Sequence, residues 1–147
     1  MTIQEVELTE NALKTLIAFS KDWETENSCH GYRANEKADI EGNRIFFAEE
    51  NGEIIGYLFG KIETSKNSSS IMPEGTPCFE VEELYVIPPK RSQGVGSALF
   101  EYVEDQVRGT AEYMMVGTAT KNHRAILHFY IDELGMSFWS ARLFKKI

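Results

Sequence analysis

Leu84-Tyr85-Val86-Ile87-Pro88-Pro89-Lys90-Arg91-Ser92-Gln93-Gly94-Val95-Gly96-Ser97 is the stretch on which the reading of this chain turns. It opens on strand-favouring apolar residues and is stopped by the Pro-Pro pair. From Val95 onward, Ala98, Leu99, Tyr102, Val103 and Val107 recur at helical spacing. A strand, a tight turn and a helix in that order place the helix's unpaired first N–H groups, and the positive end of its dipole, at the turn. Glycines there let the backbone close on a phosphate with no Cβ in the way. Lys90 and Arg91 add local positive charge. A bare Gly-x-Gly would fit equally well a turn that needs glycine only for packing. The strand before it, the helix after it and Arg91 ahead of Gly94 favour a phosphate site. A dinucleotide fingerprint needs a third glycine, where this chain has Leu99, and the Gly-Lys-Ser/Thr of a Walker loop is absent.

The strand leading into this turn, Phe79 to Ile87, changes phase. Phe79 and Val81 share one parity, Leu84 and Val86 the other, and Glu82 and Glu83 sit at the slip. Either a β-bulge near Glu82 to Leu84 absorbs the slip, or the strand is apolar on both faces, since Tyr85 and Ile87 are apolar too. Before it, Ile3 to Leu8 alternates as a strand. Thr9 can then cap a helix with Leu13, Leu16, Ile17 and Ser20 on its inner face. A short helix fits near Ala34 to Ile40. Arg44 to Glu49 and Glu53 to Ile62 form a hairpin around Asn51-Gly52, a pair that tolerates positive φ. Thr64 to Pro77 is a loop, long enough to be mobile or part of a site. Beyond the central helix, Ala111 to Ala119 holds a buried strand around Tyr113-Met114-Met115-Val116. Asn122 to about Asp132 is a helix broken by Gly135, and Phe138 to Ile147 is a last strand. The order is that of one α/β domain covering residues 1–147, with a strand–helix–strand unit at its centre.

Composition bounds the function. The chain carries 15 Lys and Arg against 23 Asp and Glu, a net charge of −8, with 42% apolar residues. That surplus of acid argues against a nucleic-acid binder and suits a cationic partner. No stretch approaches the roughly 20 apolar residues of a membrane span, and the first residues lack the features of a signal peptide, so a cytoplasmic location is the default expectation. Cys29 and Cys78 read as two reduced thiols, and neither they nor His30, His123 and His128 have metal-ligand spacing, so no metal is expected.

Leu84-Tyr85-Val86-x-Pro88-x-x-Arg91-x-x-Gly94-x-Gly96-x-x-Leu99 resembles the acyl-CoA motif of the GNAT superfamily of N-acetyltransferases. Asn122-x-x-Ala125, followed by Phe129-Tyr130 and Leu134-Gly135-Met136, resembles its C-terminal motif. The resemblance implies a GNAT-like α/β fold: a mixed, mostly antiparallel central sheet of about six to seven strands, flanked by about four helices, with a splayed parallel pair at its centre. It implies acetyl-CoA as acyl donor, held by the backbone of Leu84, Tyr85 and Val86 and of Gln93, Gly94, Val95, Gly96 and Ser97, with Arg91 and Ser92 in the same turn and Asn122 touching the CoA arm. It also implies a small amine acceptor, and a homodimer is compatible with it.

The chemistry calls for three further groups. A primary amine has a pKa of about 10.4, and freeing its lone pair at pH 7 costs about 4.6 kcal/mol, so a general base helps. Glu82 is the first candidate, Glu83 the second and Glu80, of the same parity as Glu82, the third. The tetrahedral oxyanion needs an N–H donor, which a bulge could supply. Tyr130 resembles the family's general acid for the leaving thiolate. Here the chain departs from the pattern, with one extra residue on each side of Phe129-Tyr130. Since one residue turns a helix by about 100°, Phe129 and Tyr130 compete for that place. Beside the enzyme stand two alternatives: a catalytically silent CoA-binding sensor or assembly module, and a transferase acting on a protein N-terminus or lysine.

Overall fold

The computed structural model describes residues 1–147. Its sheet has five strands in the order β1 (Thr2–Val6), β2 (Arg44–Glu50), β3 (Glu53–Thr64), β4 (Pro77–Val86) and β5 (Tyr113–Val116). The first four pair antiparallel, each with the next, and β4 and β5 pair in parallel. Four α-helices flank it: α1 (Glu10–Glu26), α2 (Lys37–Ile40), α3 (Val95–Val107) and α4 (His123–Leu127). The α/β class and the mixed sheet are as expected. The strand count is lower than six to seven.

Local chemistry sets the element ends. The Thr9 side chain accepts a hydrogen bond from the Ala12 N–H (3.1 Å) and starts α1, and Asn27, in the left-handed region at φ 51°, ends it. Asn51 and Gly52, at φ 53° and 80°, close a two-residue hairpin between β2 and β3. The loop from Ser65 to Thr76 is bonded to itself. Ser65 N–H donates to the Thr76 carbonyl, and the Ser65 hydroxyl donates to Pro73, which buries Ser65, Ser68, Met72 and Thr76. No helix is long and apolar enough to cross a membrane.

Period-2 alternation divides the sheet into two faces. Ile45, Phe47, Tyr57, Phe59 and Tyr85 pack under α1 and α2, with Leu16 and Ile40. Phe46, Ala48, Leu58, Phe79 and Val81 pack under α3, with Leu99, Phe100 and Val103. Leu84 and Val86 pack on this second face too, together with Phe79 and Val81 of the other parity. The register explains it: Gly60 faces Val81 and Phe59 faces Glu83, so Glu82 has no opposite residue. Of the two readings of this strand, the bulge is therefore the one that forms. Gly60 permits it, since a Cβ there would lie 2.1 Å from the Glu80 carbonyl oxygen.

The expected last strand does not form. Residues 137–147 have no regular structure, and Leu143 and Phe144 are 95% and 82% exposed. Trp139, Ala141, Leu143 and Ile147 share one parity, but Phe138 and Phe144 put rings on the other and Lys145 interrupts the first. β5 offers only four paired residues beside which a ladder could grow.

Candidate active site

Pairing between β4 and β5 ends at Val81 and Val116. Beyond that point the strands diverge around a cleft of about 600 Å³, with Glu82–Val86 on one wall and Gly117–Thr120 on the other. On this side β4 has no neighbour from Glu82 onward, so its main-chain groups there are open to a ligand. The segment after α1 crosses the mouth. His30 N–H donates to the Ala119 carbonyl and Lys121 N–H to that of Ser28, both at 2.8 Å.

At one end of the cleft lies the glycine turn. Ser92 and Gly94, at φ 58° and 83°, reverse the chain into α3. The first-turn N–H groups of Val95, Gly96 and Ser97 precede the first intrahelical bond, Ala98 N–H to the Gly94 carbonyl. The two glycines divide the two readings between them. A Cβ at Gly94 would meet nothing within 4 Å, and the residue is there for its φ. A Cβ at Gly96 would touch the Phe129 ring at 3.3 Å, so this glycine serves packing.

The two cations of the turn are already paired. The Arg91 guanidinium binds both Glu26 oxygens (2.7 and 2.9 Å), donates from Nε to the Val86 carbonyl (2.8 Å) and lies over the Tyr85 ring. The ion pair with Glu26 holds the guanidinium above its ordinary pKa. Lys90 pairs with Glu50. Arg91 thus fastens the turn to the end of α1, and both cations of the turn are engaged within the chain. Nothing in the local sequence signals this, because Glu26 lies 65 residues away.

Both bulge residues flank the cleft. Glu82 is exposed on its wall. Glu83 is largely enclosed: its Oε1 accepts from Asn35 Nδ2 (2.7 Å) and the Tyr32 hydroxyl (3.2 Å), its Oε2 from the Tyr57 hydroxyl (2.7 Å). Burial pushes the Glu83 carboxyl above the ordinary range, and the three donors offset part of that rise. The Tyr32 and Tyr57 phenols are pushed up mainly by burial, with the Glu83 charge adding to it. Trp23 stacks on Tyr32 and meets Tyr85 at a tilt beside these carboxylates. The third candidate, Glu80, is raised by burial and by the Glu82 charge, but it lines the grooves beneath β5, not the cleft.

Tyr130 reaches the cleft and Phe129 does not. The extra residues are absorbed in a π-helical turn, His128–Glu133, in which Leu134 N–H donates to the Phe129 carbonyl five residues back. This sends Phe129 onto Gly96 and Tyr130 into the core. Tyr130 is 8% exposed, and burial pushes its phenol up to about 12. Asn122 lines the cleft, and its Oδ1 caps α4 by accepting from the Ala125 N–H.

The family model of the acetyltransferase (GNAT) family matches residues 12–136. An uncharacterized N-acetyltransferase of Lactobacillus delbrueckii subsp. lactis is 24% identical over 103 residues, covering 70% of this chain and 57% of that protein. The match therefore spans a little over half the length of that curated relative. An aminoglycoside acetyltransferase from an uncultured soil metagenomic sample superposes with a TM-score of 0.72 at 18% identity, covering 99% of this chain and 97% of that one. An aminoglycoside N-acetyltransferase in complex with CoA gives a TM-score of 0.67 at 16% identity, covering 99% and 98%. An aminoglycoside antibiotic 6'-N-acetyltransferase of Acinetobacter haemolyticus, in its apo form, gives 0.66 at 20%, covering 100% and 99%. At such identities the likeness is one of fold.

Proposed function

We propose that this chain, which belongs to the acetyltransferase (GNAT) family, transfers an acetyl group from acetyl-CoA to the primary amine of a small cationic acceptor. The observation that carries the reading is the parting of β4 from β5 at Val81–Val116, with Glu82 on the exposed wall and unpaired amides at the glycine turn. The diphosphate of CoA sits on the amides of Gln93 to Ser97, with Ser92 shaping the turn and Arg91 clamping it. The open edge of Leu84, Tyr85 and Val86 bonds the pantetheine arm, and Asn122 lies beside that arm.

The acceptor enters beside Glu82 and Glu83, against the Trp23 and Tyr32 rings. Ring faces and carboxylates both favour an ammonium group. Glu82 takes the proton from that ammonium, directly or through water. The freed nitrogen attacks the thioester carbonyl carbon. A main-chain N–H at the bulge steadies the oxyanion. The C–S bond then breaks, Tyr130 gives its proton to the departing thiolate, and the second proton on the new amide nitrogen passes through water to the Tyr130 phenolate. A phenol of pKa about 12 is protonated throughout the neutral range, as an acid must be.

An amine panel incubated with acetyl-CoA tests this, read as thiol release and as acetyl mass gain on the acceptor. Turnover on small cationic amines is the expected result. CoA binding without turnover on any amine or peptide would point to a silent binding module, and acetylation of peptides alone to a protein acceptor. Within the assay, Tyr130→Phe lowers kcat by about 10²-fold and leaves the acetyl-CoA KM within about twofold. Up to pH 10 the wild-type rate shows no decline from this phenol, because it loses its proton only near 12. A Tyr130→Phe enzyme with wild-type kcat would remove the acid role.

A further inference from the structure

Glu83 lines the cleft, and the proposed reaction gives it no step. Its carboxylate has no ion-pair partner. It accepts instead from three side chains: the Tyr57 hydroxyl on one oxygen, the Asn35 amide and the Tyr32 hydroxyl on the other. Those donors occupy three of its roughly four lone-pair sites, so little remains to take a proton from an acceptor.

Two of the donors belong to a segment that has few other fastenings. From Gly31 to Glu36 no main-chain N–H donates to a main-chain carbonyl, and the residues form neither helix nor strand. Side chains of α1 hold it instead. Glu24 accepts from the Ala34 N–H and Ser20 from the Asn35 N–H, each at 2.6 Å, and the Ser20 and Tyr32 hydroxyls lie 2.8 Å apart. Ser20 and Tyr57 are both 0% exposed. With Glu83 ionised, every contact is a hydrogen bond and the donors run one way: Asn35 N–H to Ser20, Ser20 to Tyr32, Tyr32 to Glu83. A buried polar network in which each member is satisfied rigidifies what it joins. This one joins the sheet, through Tyr57, to Tyr32, whose ring lies on Trp23 with 4.4 Å between centroids and lines the cleft.

We propose that Glu83 is a positioning residue for the acceptor. Its carboxylate pins Tyr32 and Asn35, and with them residues 31–36, so that the Trp23–Tyr32 wall stands where an amine enters. Glu83 takes up no proton in the reaction. The effect on the acceptor rests on the acetyltransferase reading, whereas the pinning rests on the hydrogen bonds alone.

Glu83→Gln is the test. It keeps the size of the side chain but turns one acceptor oxygen into a donor, which then faces an N–H or O–H that it cannot receive. Hydrogen exchange read by mass spectrometry, with no substrate present, speeds up about tenfold or more over residues 31–36 and stays at wild-type rates over β2. In turnover the acceptor KM rises about tenfold, while kcat and the acetyl-CoA KM stay within about threefold. Adding Asn35→Asp gives the new amide an acceptor, and both readouts return to within about threefold of the wild type. Tyr32→Phe keeps the ring, removes the hydroxyl and loosens the same segment, so it carries the test if Glu83→Gln does not fold. Exchange over residues 31–36 that neither variant speeds up overturns the proposal, as does a double variant no tighter than Glu83→Gln. So does a Glu83→Gln enzyme whose kcat collapses at an unchanged acceptor KM, the mark of a base. If the wild type turns over no amine, the acetyltransferase reading fails, and the exchange rates alone decide whether Glu83 pins the segment.

Discussion

Glu82→Gln lowers kcat by about 10² to 10⁴-fold, the range that a positioned general base contributes. The substitution keeps the size of the side chain and removes its capacity to take a proton. Glu82 is the bulged residue of β4, exposed on the cleft wall and free of the ion pairs that occupy Glu26 and Glu50. The variant therefore disturbs no packing, and its melting temperature and acetyl-CoA affinity remain those of the wild type. With no base, the rate depends on acceptor that arrives deprotonated. It then climbs about tenfold per pH unit below the amine pKa of about 10.4. Wild-type kcat in the variant, with an unaltered pH profile, would move the role to Glu83, whose lone pairs already accept from Tyr32, Tyr57 and Asn35.

Gly60→Ala costs about 3 kcal/mol of stability, at the upper end for overpacking a well-filled interior. The new Cβ would lie 2.1 Å from the Glu80 carbonyl oxygen and 2.9 Å from the Phe79 ring. The first of these is backbone and cannot rotate away, so β3 and β4 must separate where the bulge sits. At about 2–4 °C per kcal/mol for a chain of this size, the melting temperature falls by about 6–12 °C. Gly117→Ala is the control, since a Cβ there meets nothing within 4 Å. Because the strained step adjoins Glu82, kcat falls as well. A Gly60→Ala protein that melts within about 2 °C of the wild type would contradict the close approach of the two strands.

The bulge shows how far the sequence could be read. The change of parity between Phe79, Val81 and Leu84, Val86 is visible in the residues. Deciding between a bulge and a strand apolar on both faces required the register against β3, which no local pattern contains. The hairpin at Asn51-Gly52 was legible because the conformational demand and the residues that meet it are neighbours. The glycine turn was legible for the same reason. Its electrostatics were not: Arg91 and Lys90 looked like phosphate ligands until tertiary structure brought Glu26 and Glu50 to them. The extra residue beside Phe129-Tyr130 left two rings in competition, and only the π-helical turn assigns Tyr130 to the cleft. The last strand expected over Phe138 to Ile147 does not form. Trp139, Ala141, Leu143 and Ile147 alternate as a strand would, but the short β5 offers little to pair with.

In the proposed reaction a thioester occupies the gap where β4 parts from β5, its nucleotide end held by main-chain amides after Arg91. A crystal structure of the chain with acetyl-CoA tests it most directly. The diphosphate is expected on the amides of Gln93 to Ser97, the arm along Leu84 to Val86, and the acetyl group between Glu82 and Tyr130. Acetyl-CoA bound on any other surface, with Gly94 and the open edge of β4 untouched, would contradict it.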